Sequence, residues 1–295
     1  MSELTKEIRQ VLSICPENIG AQIRKLPEQI QDTLEELRLR NGGRAMFLSK
    51  GKERCLDVEV DTTSLEYILG RATGQAVYSA QEMLKSGYVT LPGGHRLGIC
   101  GQAVYKYGEL FTFKDISSIN LRIARQFLGI ASQCADYIWT RPYSTLIIGP
   151  PGRGKTTLLR DLIRQMSDRF LWRICVADER MEIAACHEGK PQFDLGRHTD
   201  ILSGAEKVTA MELLLRSMNP QWIALDEITS ERDVDAMLRL SYCGVQFLAS
   251  AHAASRKELS DRPVYRQLLQ NGMFRNLCLI GENRQTRMER MNDDD

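Results

Sequence analysis

Residues Gly149-Pro150-Pro151-Gly152-Arg153-Gly154-Lys155-Thr156 have the spacing G-x-x-x-x-G-K-[ST]. That spacing makes a phosphate-binding loop when a strand precedes it and a helix follows. Both flanks fit: Thr145-Leu146-Ile147-Ile148 is an apolar run, and Thr156 to Met166 carries helical periodicity. The glycines let main-chain N–H groups close around a phosphate, at a helix N-terminus that favours negative charge. In such a loop Lys155 reaches the β- and γ-phosphates, and the Thr156 hydroxyl turns to Mg2+. With Thr157, residues 149–157 are assigned to the nucleotide. The implied ligands are ATP and Mg2+.

Two acidic strand ends supply the remaining chemistry. Trp222-Ile223-Ala224-Leu225-Asp226-Glu227 is an apolar run closed by two carboxylates. Hydrolysis needs one carboxylate near the metal and one that polarises water; Asp226 is assigned to the metal and Glu227 to the water. Cys175-Val176-Ala177-Asp178-Glu179-Arg180 is a second such end. In a parallel sheet it opens on the same crevice, so Glu179 rivals Glu227. His252 follows the apolar Leu248-Ala249-Ser250-Ala251, where a polar side chain can sense the γ-phosphate. Solvated strand ends and a structural histidine would give the same pattern, and both readings stay open here.

Placing these residues together takes a parallel sheet. From Ser144 the chain alternates strand and helix: strands at 145–148, 173–177, 222–225 and 245–249, helices at 156–166, 206–217 and 233–242. That grammar gives an α/β layer covered on both faces. Before it the pattern is different. Leu4, Ile8, Val11 and Leu12, then Ile19, Ile23, Leu26 and Ile30, repeat at helical spacing. Leu37-Arg38-Leu39-Arg40 alternates as a strand into a turn at Gly42-Gly43. A helix is predicted at Thr63 to Arg71, and another starting at a Ser79/Glu82 capping box. Strands are predicted at Tyr88 to Leu91, His95 to Tyr105, Leu110 to Lys114 and Ile119 to Arg125. The expected organisation is an α+β domain over 1–127, a connecting helix over 128–143 and a P-loop domain over 144–295.

Composition narrows the class further. Of 295 residues, 43% are hydrophobic and 26% charged, as in an ordinary globular protein. Lys+Arg 39 against Asp+Glu 38, spread evenly along the chain, leaves no basic stripe, so no nucleic-acid partner is expected. Eight scattered cysteines without a C-x-x-C pair read as reduced thiols. The charged start is not a signal peptide, and no apolar run nears the ~20 residues of a membrane span. A cytoplasmic protein that does not insert in a membrane is expected.

The order loop, Asp178-Glu179-Arg180-Met181-Glu182, Leu214-to-Glu227 and Ser250-Ala251-His252-Ala253-Ala254 resembles the secretion-type ATPase superfamily of type II and IV secretion and pilus retraction motors. In that superfamily an acidic box, a Walker B segment and a histidine box follow the loop. Asp226 departs from the superfamily, which usually has glycine before the Walker B glutamate. A fuller resemblance, to the stage III sporulation protein AA family, is carried by four segments and the loop itself: Gly93-Gly94-His95-Arg96-Leu97-Gly98-Ile99-Cys100-Gly101, Ser118 to Arg125, Asp178-Glu179-Arg180-Met181-Glu182-Ile183-Ala184, and His198-Thr199-Asp200-Ile201-Leu202. The resemblance implies a RecA-like ATPase domain behind a smaller α+β domain. It also implies a homo-hexameric ring and a mother-cell motor, peripheral at a membrane through the embedded components of a sporulation channel. Basic residues outside the P-loop core complete such sites; Arg96, Arg122 and Arg125 lie in the matching segments, and Arg122 and Arg125 are taken as catalytic candidates. Two alternatives remain: a nucleotide-gated scaffold with little hydrolysis, and a RecA-like nucleic-acid motor, which the even charge disfavours.

Overall fold

Antiparallel and parallel patterning give the chain two units, Met1–Arg125 and Gln126–Asp295. The computed structural model describes residues 4–74 and 87–291. The capping box expected at Ser79 and Glu82 lies outside the described residues.

In the first unit, helix α1 (Lys6–Ile14) begins where the Thr5 hydroxyl accepts from the Ile8 N–H at 3.4 Å. Pro16 forces the preceding Cys15 into an extended conformation and ends the helix. Then come α2 (Glu17–Arg24), the single turn α3 (Glu28–Gln31) and, after three strands, α4 (Thr62–Ala72), which Asp61 caps by accepting from the Ser64 N–H at 2.7 Å. The strands are β1 (Leu34–Arg40), β2 (Arg44–Ser49), β3 (Lys52–Glu59), β4 (Tyr88–Thr90), β5 (Arg96–Lys106) and β6 (Glu109–Arg122). Among the described residues they form one antiparallel sheet in the order β3-β2-β1-β6-β5-β4. Register lines up Leu37, Leu121 and Leu97 in one row and Leu39, Ile119 and Ile99 in the next. These rows share a core with Ile8, Val11, Ile19, Ile23, Leu65 and Ile68 of the helices. Each such side chain contributes about 1.5–3 kcal/mol by leaving water.

Two expectations need correction here. The strands predicted at Leu110 to Lys114 and Ile119 to Arg125 are one strand, β6, which stops at Arg122. Its partner absorbs the irregularity: pairing shifts between Cys100 and Gln102, where a Cβ on Gly101 would stand 2.7 Å from the Lys114 carbonyl O, a bulge that needs glycine. Strands β2 and β3 are not anticipated, because the charged Lys52-Glu53-Arg54 of edge strand β3 hides its alternation; charge on an edge also deters pairing with other chains.

The second unit holds α5 (Ser132–Thr140), β7 (Thr145–Gly149), α6 (Lys155–Phe170), β8 (Ile174–Asp178), β9 (Thr199–Ser203), α7 (Lys207–Met218), β10 (Trp222–Glu227) and α8 (Glu231–Ser241). β11 (Gln246–His252), α9 (Arg256–Asp261), α10 (Pro263–Gln270), β12 (Asn276–Ile280) and β13 (Thr286–Arg290) follow. The sheet order is β13-β12-β7-β11-β10-β8-β9, parallel throughout except for the β12–β13 hairpin. Alternate residues of the buried strands feed two cores. Ile147, Val176, Ala224 and Leu248 pack with α5 and α6, while Leu146, Ile223, Leu225 and Phe247 pack with the helices from α7 onward. The segment expected to connect the domains therefore belongs to the second unit: Ala131, Cys134, Ala135 and Ile138 are buried in its core. Where the parallel strands begin, Trp139, Phe170, Trp172 and Trp222 stack in series, with neighbouring centroids 4.5, 5.1 and 5.3 Å apart. The sheet is mixed rather than wholly parallel, since β13 pairs antiparallel with β12; β12, β13 and the half-exposed edge strand β9 all lie outside the alternation read from sequence.

Candidate functional site

β7 is buried along its whole length and runs directly into the glycine-rich loop. A Cβ on Gly149 would stand 3.2 Å from Ile280 Cβ, so glycine allows β7 and β12 to close where the chain leaves the sheet. Gly152 (φ +71°) and Gly154 (φ +92°) occupy the left-handed region, which other residues enter only with strain. No side chain caps α6, so the N–H groups of its first turn remain for an anion. Pro151 and Gly152 are exposed at the tip of the loop, and Pro150 and Thr157 are half-buried. Arg153 Nη1 donates to the Glu282 carbonyl O at 2.6 Å, tying the loop to the turn after β12.

Parallel register brings the other groups alongside. His252 pairs with Gly149, Glu227 with Ser250, and Leu225 with Ala177. The carboxyl ends of β7, β11, β10 and β8 thus form one rim.

Lys155 is buried, and its Nζ donates to the carbonyls of Gly149 (2.9 Å) and Pro150 (3.1 Å) and lies 2.7 Å from His252 Nδ1. Burial pulls this ammonium below its ordinary range, against the pull of Glu227 and Asp226. An ammonium only donates, so His252 Nδ1 is the acceptor and the ring proton sits on Nε2. That nitrogen is 3.1 Å from Glu227 Oε2. Lys155, His252 and Glu227 form one polar chain. Beside it the Thr156 hydroxyl donates to Asp226 Oδ1 at 3.1 Å. Burial, with Glu182 and Asp178 nearby, pushes the Asp226 carboxyl up to about 6 against the Thr156 bond and Arg160.

A hydroxyl and one carboxylate are hard oxygen donors of the kind Mg2+ takes alongside phosphate oxygens and water. Among the described residues no group of three or more His, Cys, Asp or Glu side chains could hold a metal alone. The uncapped helix start, the buried lysine and this oxygen pair together fit a nucleotide phosphate chain with Mg2+.

The second acidic end divides its labour. Asp178 accepts the N–H groups of Glu182, Ile183 and Ala184 at 2.8–3.0 Å and so builds the turn that follows. Glu179 Oε2 is 3.6 Å from Lys207 Nζ. The sequence reading misses Lys207, which joins Glu179, Thr229 and Asp233. Its signal was a lysine at the first position of a helix, where a cation opposes the dipole. Asp233 is missed as well: burial acts against its ionisation, but the Thr229 N–H and Lys207 hold it below the usual carboxylate range.

Arg122 and Arg125 belong to the first unit. Arg122 Nε pairs with Glu36 at 3.2 Å on the polar face of the sheet, its side chain 63% exposed. Arg125 is turned inward: its guanidinium donates to the Leu34 carbonyl O and, at 3.1 Å, to that of Gln31. A guanidinium bonded in this way ties the end of α3 to the start of β1. Arg96 lies over the Tyr88 ring at 4.3 Å.

The family model described as "Sporulation stage III, protein AA" matches residues 4–292. "Stage III sporulation protein AA" of Bacillus subtilis (strain 168) is 36% identical over 272 residues, 90% of this chain and 89% of that protein. Among solved structures, the pilus retraction motor PilT with bound ADP superposes with a TM-score of 0.61 at 15% identity, covering 90% of this chain and 81% of that one. The Legionella pneumophila ATPase DotB gives 0.57 at 14%, covering 86% and 75%. The fold is that of RecA-like secretion ATPases.

Proposed function

The chain belongs to the stage III sporulation protein AA family, and on that premise we propose that it is a Mg2+-dependent ATPase of the secretion-motor type. The observation that carries this reading is the single rim on which Lys155, Thr156, Asp226, Glu227 and His252 converge. In the proposed reaction Lys155 exchanges the Gly149 and Pro150 carbonyls and His252 for β- and γ-phosphate oxygens. Loss of the ammonium bond frees His252 Nδ1, which donates to the γ-phosphate once it has taken up a proton, while Nε2–H keeps its bond to Glu227. Glu227 orients and polarises the attacking water. Thr156 and Asp226 would hold Mg2+, which when bound neutralises charge on the phosphates.

The motor part of the reading is supported by the fold and by family membership. In it the protein is a mother-cell component that forms a ring, taken as a hexamer, and meets the membrane through embedded partners of a channel complex. Among the described residues no helix is long and apolar enough to cross a membrane. Arg122, exposed on its sheet face, is the candidate for an arginine supplied by a neighbouring subunit, a device that changes phosphoryl-transfer rates by ~10³–10⁵. One observation favours a second reading, a nucleotide-gated scaffold. His252 engages both Lys155 and Glu227, which suits slow basal hydrolysis.

Phosphate release by the assembled full chain with Mg·ATP tests the proposal against Lys155→Ala. Turnover at least ~10³-fold above that variant is expected; equal rates would eliminate the motor.

A further inference from the structure

Lys207 opens α7 and is only 6% exposed. Two local rules stand against it there: a cation at a helix start opposes the dipole, and lysine is seldom buried unless paired. Its partners explain its retention. Nζ donates to the Glu227 carbonyl O at 2.8 Å, to Thr229 Oγ1 at 2.8 Å and to Asp233 Oδ2 at 3.1 Å, with Glu179 Oε2 at 3.6 Å. Asp233 Oδ2 also accepts the N–H groups of Thr229 and Ser230 while its residue completes the capping box of α8. One ammonium therefore joins the ends of β8 and β10 to the start of α8. It grips β10 where pairing with β11 slips between Ala224 and Glu227. Ladder hydrogen bonds alone fix a strand weakly at such an irregularity, and broken local rules with full compensation mark functional positions.

We infer that Lys207 is a positioning residue for the hydrolysis proposed above, on which this inference rests. It fixes the main chain at Glu227 so that the Glu227 carboxylate reaches His252. It also holds the Glu179 carboxylate on its own charge, leaving the water to Glu227. Its partners, the Glu227 carbonyl, Thr229, Asp233 and Glu179, are none of the groups assigned to phosphate or Mg2+, so nucleotide affinity does not run through it. A displacement of ~1 Å in a catalytic group costs on the order of 10²-fold in rate.

The test uses the full chain, with K155A as the control. K207M should lower kcat ~10–100-fold and leave the affinity for a fluorescent ATP analogue within about twofold, the split expected when ground-state binding is untouched. K207R keeps the charge but cannot place three protons on the same three acceptors, and should show the same split to a smaller degree; it carries the test if K207M does not fold. Without nucleotide, melting temperatures of K207M, E179Q and the double variant should be non-additive, the double losing less than the two singles together. Additive shifts would overturn the contact. K207M and K207R at wild-type turnover, or with kcat and affinity falling alike, would overturn the positioning role while the ATPase reading stands. A wild type with no Lys155-dependent turnover would overturn both.

Discussion

His95 in the first unit and His252 in the second adopt the same tautomer among opposite kinds of neighbour. His95 Nδ1 accepts the Ala124 N–H at 3.0 Å, and its Nε2 meets Gln10 Oε1 at 3.1 Å; both partners are neutral, and the ring is 1% exposed. His252 stands between an ammonium and a carboxylate, its side chain 33% exposed. The arginines of the first unit and the lysine of the loop repeat the contrast. Arg125 donates to carbonyls of distant elements that no ligand replaces, whereas Lys155 donates to carbonyls of its own loop. Buried polar groups with fixed main-chain partners hold a fold together. Those whose partners can be exchanged for a ligand are available for chemistry.

The largest break in this contrast is sought at the carboxylates. Glu227→Gln keeps shape and removes charge, so turnover should fall ~10²–10³-fold with ATP still bound, while Glu179→Gln, its charge already engaged by Lys207, should cost less than tenfold. Single-turnover rates in the reverse order would move the main role to Glu179. Next come the histidines. His252→Ala should lower turnover about tenfold or more with little change in melting temperature, and His95→Ala should cost ~1–3 kcal/mol of stability by orphaning the Ala124 N–H. Chemical denaturation and phosphate release on both variants decide this, and exchanged outcomes would dissolve the distinction.

The arginines should separate by less. Arg125→Ala removes a half-buried donor from two carbonyls and should destabilise the first unit by about 1 kcal/mol. Arg122→Ala, losing an exposed pair, should stay within ~0.5 kcal/mol. If Arg122 acts across subunits, its loss lowers turnover more than affinity, in an activity that rises with protein concentration. Flat, wild-type activity on dilution would remove that role.

Acid should act with opposite sign on two single groups, one in each unit. Burial pushes His95 down from 6.5 to about 4, with Glu7 opposing and Arg125 adding. The unfolded chain therefore takes up this proton first, and the first unit loses on the order of 3 kcal/mol as pH falls from about 6.5 to 4. Asp226, raised from 3.8 to about 6, is protonated first in the folded state, so its burden on the second unit is fully present above about pH 6 and is relieved as pH falls through that window. Hydrogen exchange reads the two units separately. His95→Gln should flatten the loss in the first, and Asp226→Asn should remove the relief in the second.

The chemistry was more legible in the sequence than its supports. Gly149 to Thr156, Asp226 and His252 could be read because each follows a short apolar run, and parallel register does the rest. Lys207 and Asp233 were not legible: a lysine and an aspartate 26 residues apart carry no mark of meeting until α7 and α8 flank β10. Strands β9 and β13 escaped because partial exposure breaks the unbroken apolar run that marks a buried parallel strand; β12, buried with the apolar run Leu277 to Ile280, was passed over because no helix pattern after it continues the alternation. The strand was read as far as Arg125, but β6 ends at Arg122 and the Arg125 guanidinium turns inward to main-chain carbonyls.

The ring stack at the opposite end of the second sheet has an optical consequence. It contains every tryptophan in the chain, Trp139, Trp172 and Trp222, so indole emission comes from the second unit alone and the first is silent in it. Indoles this close share excitation and should give an exciton couplet in far-ultraviolet circular dichroism, where the indole transition is strong. Their position at the beginning of the strands, away from the phosphate loop, makes that band report the packing of α5 and α6 on the sheet rather than direct contact with nucleotide.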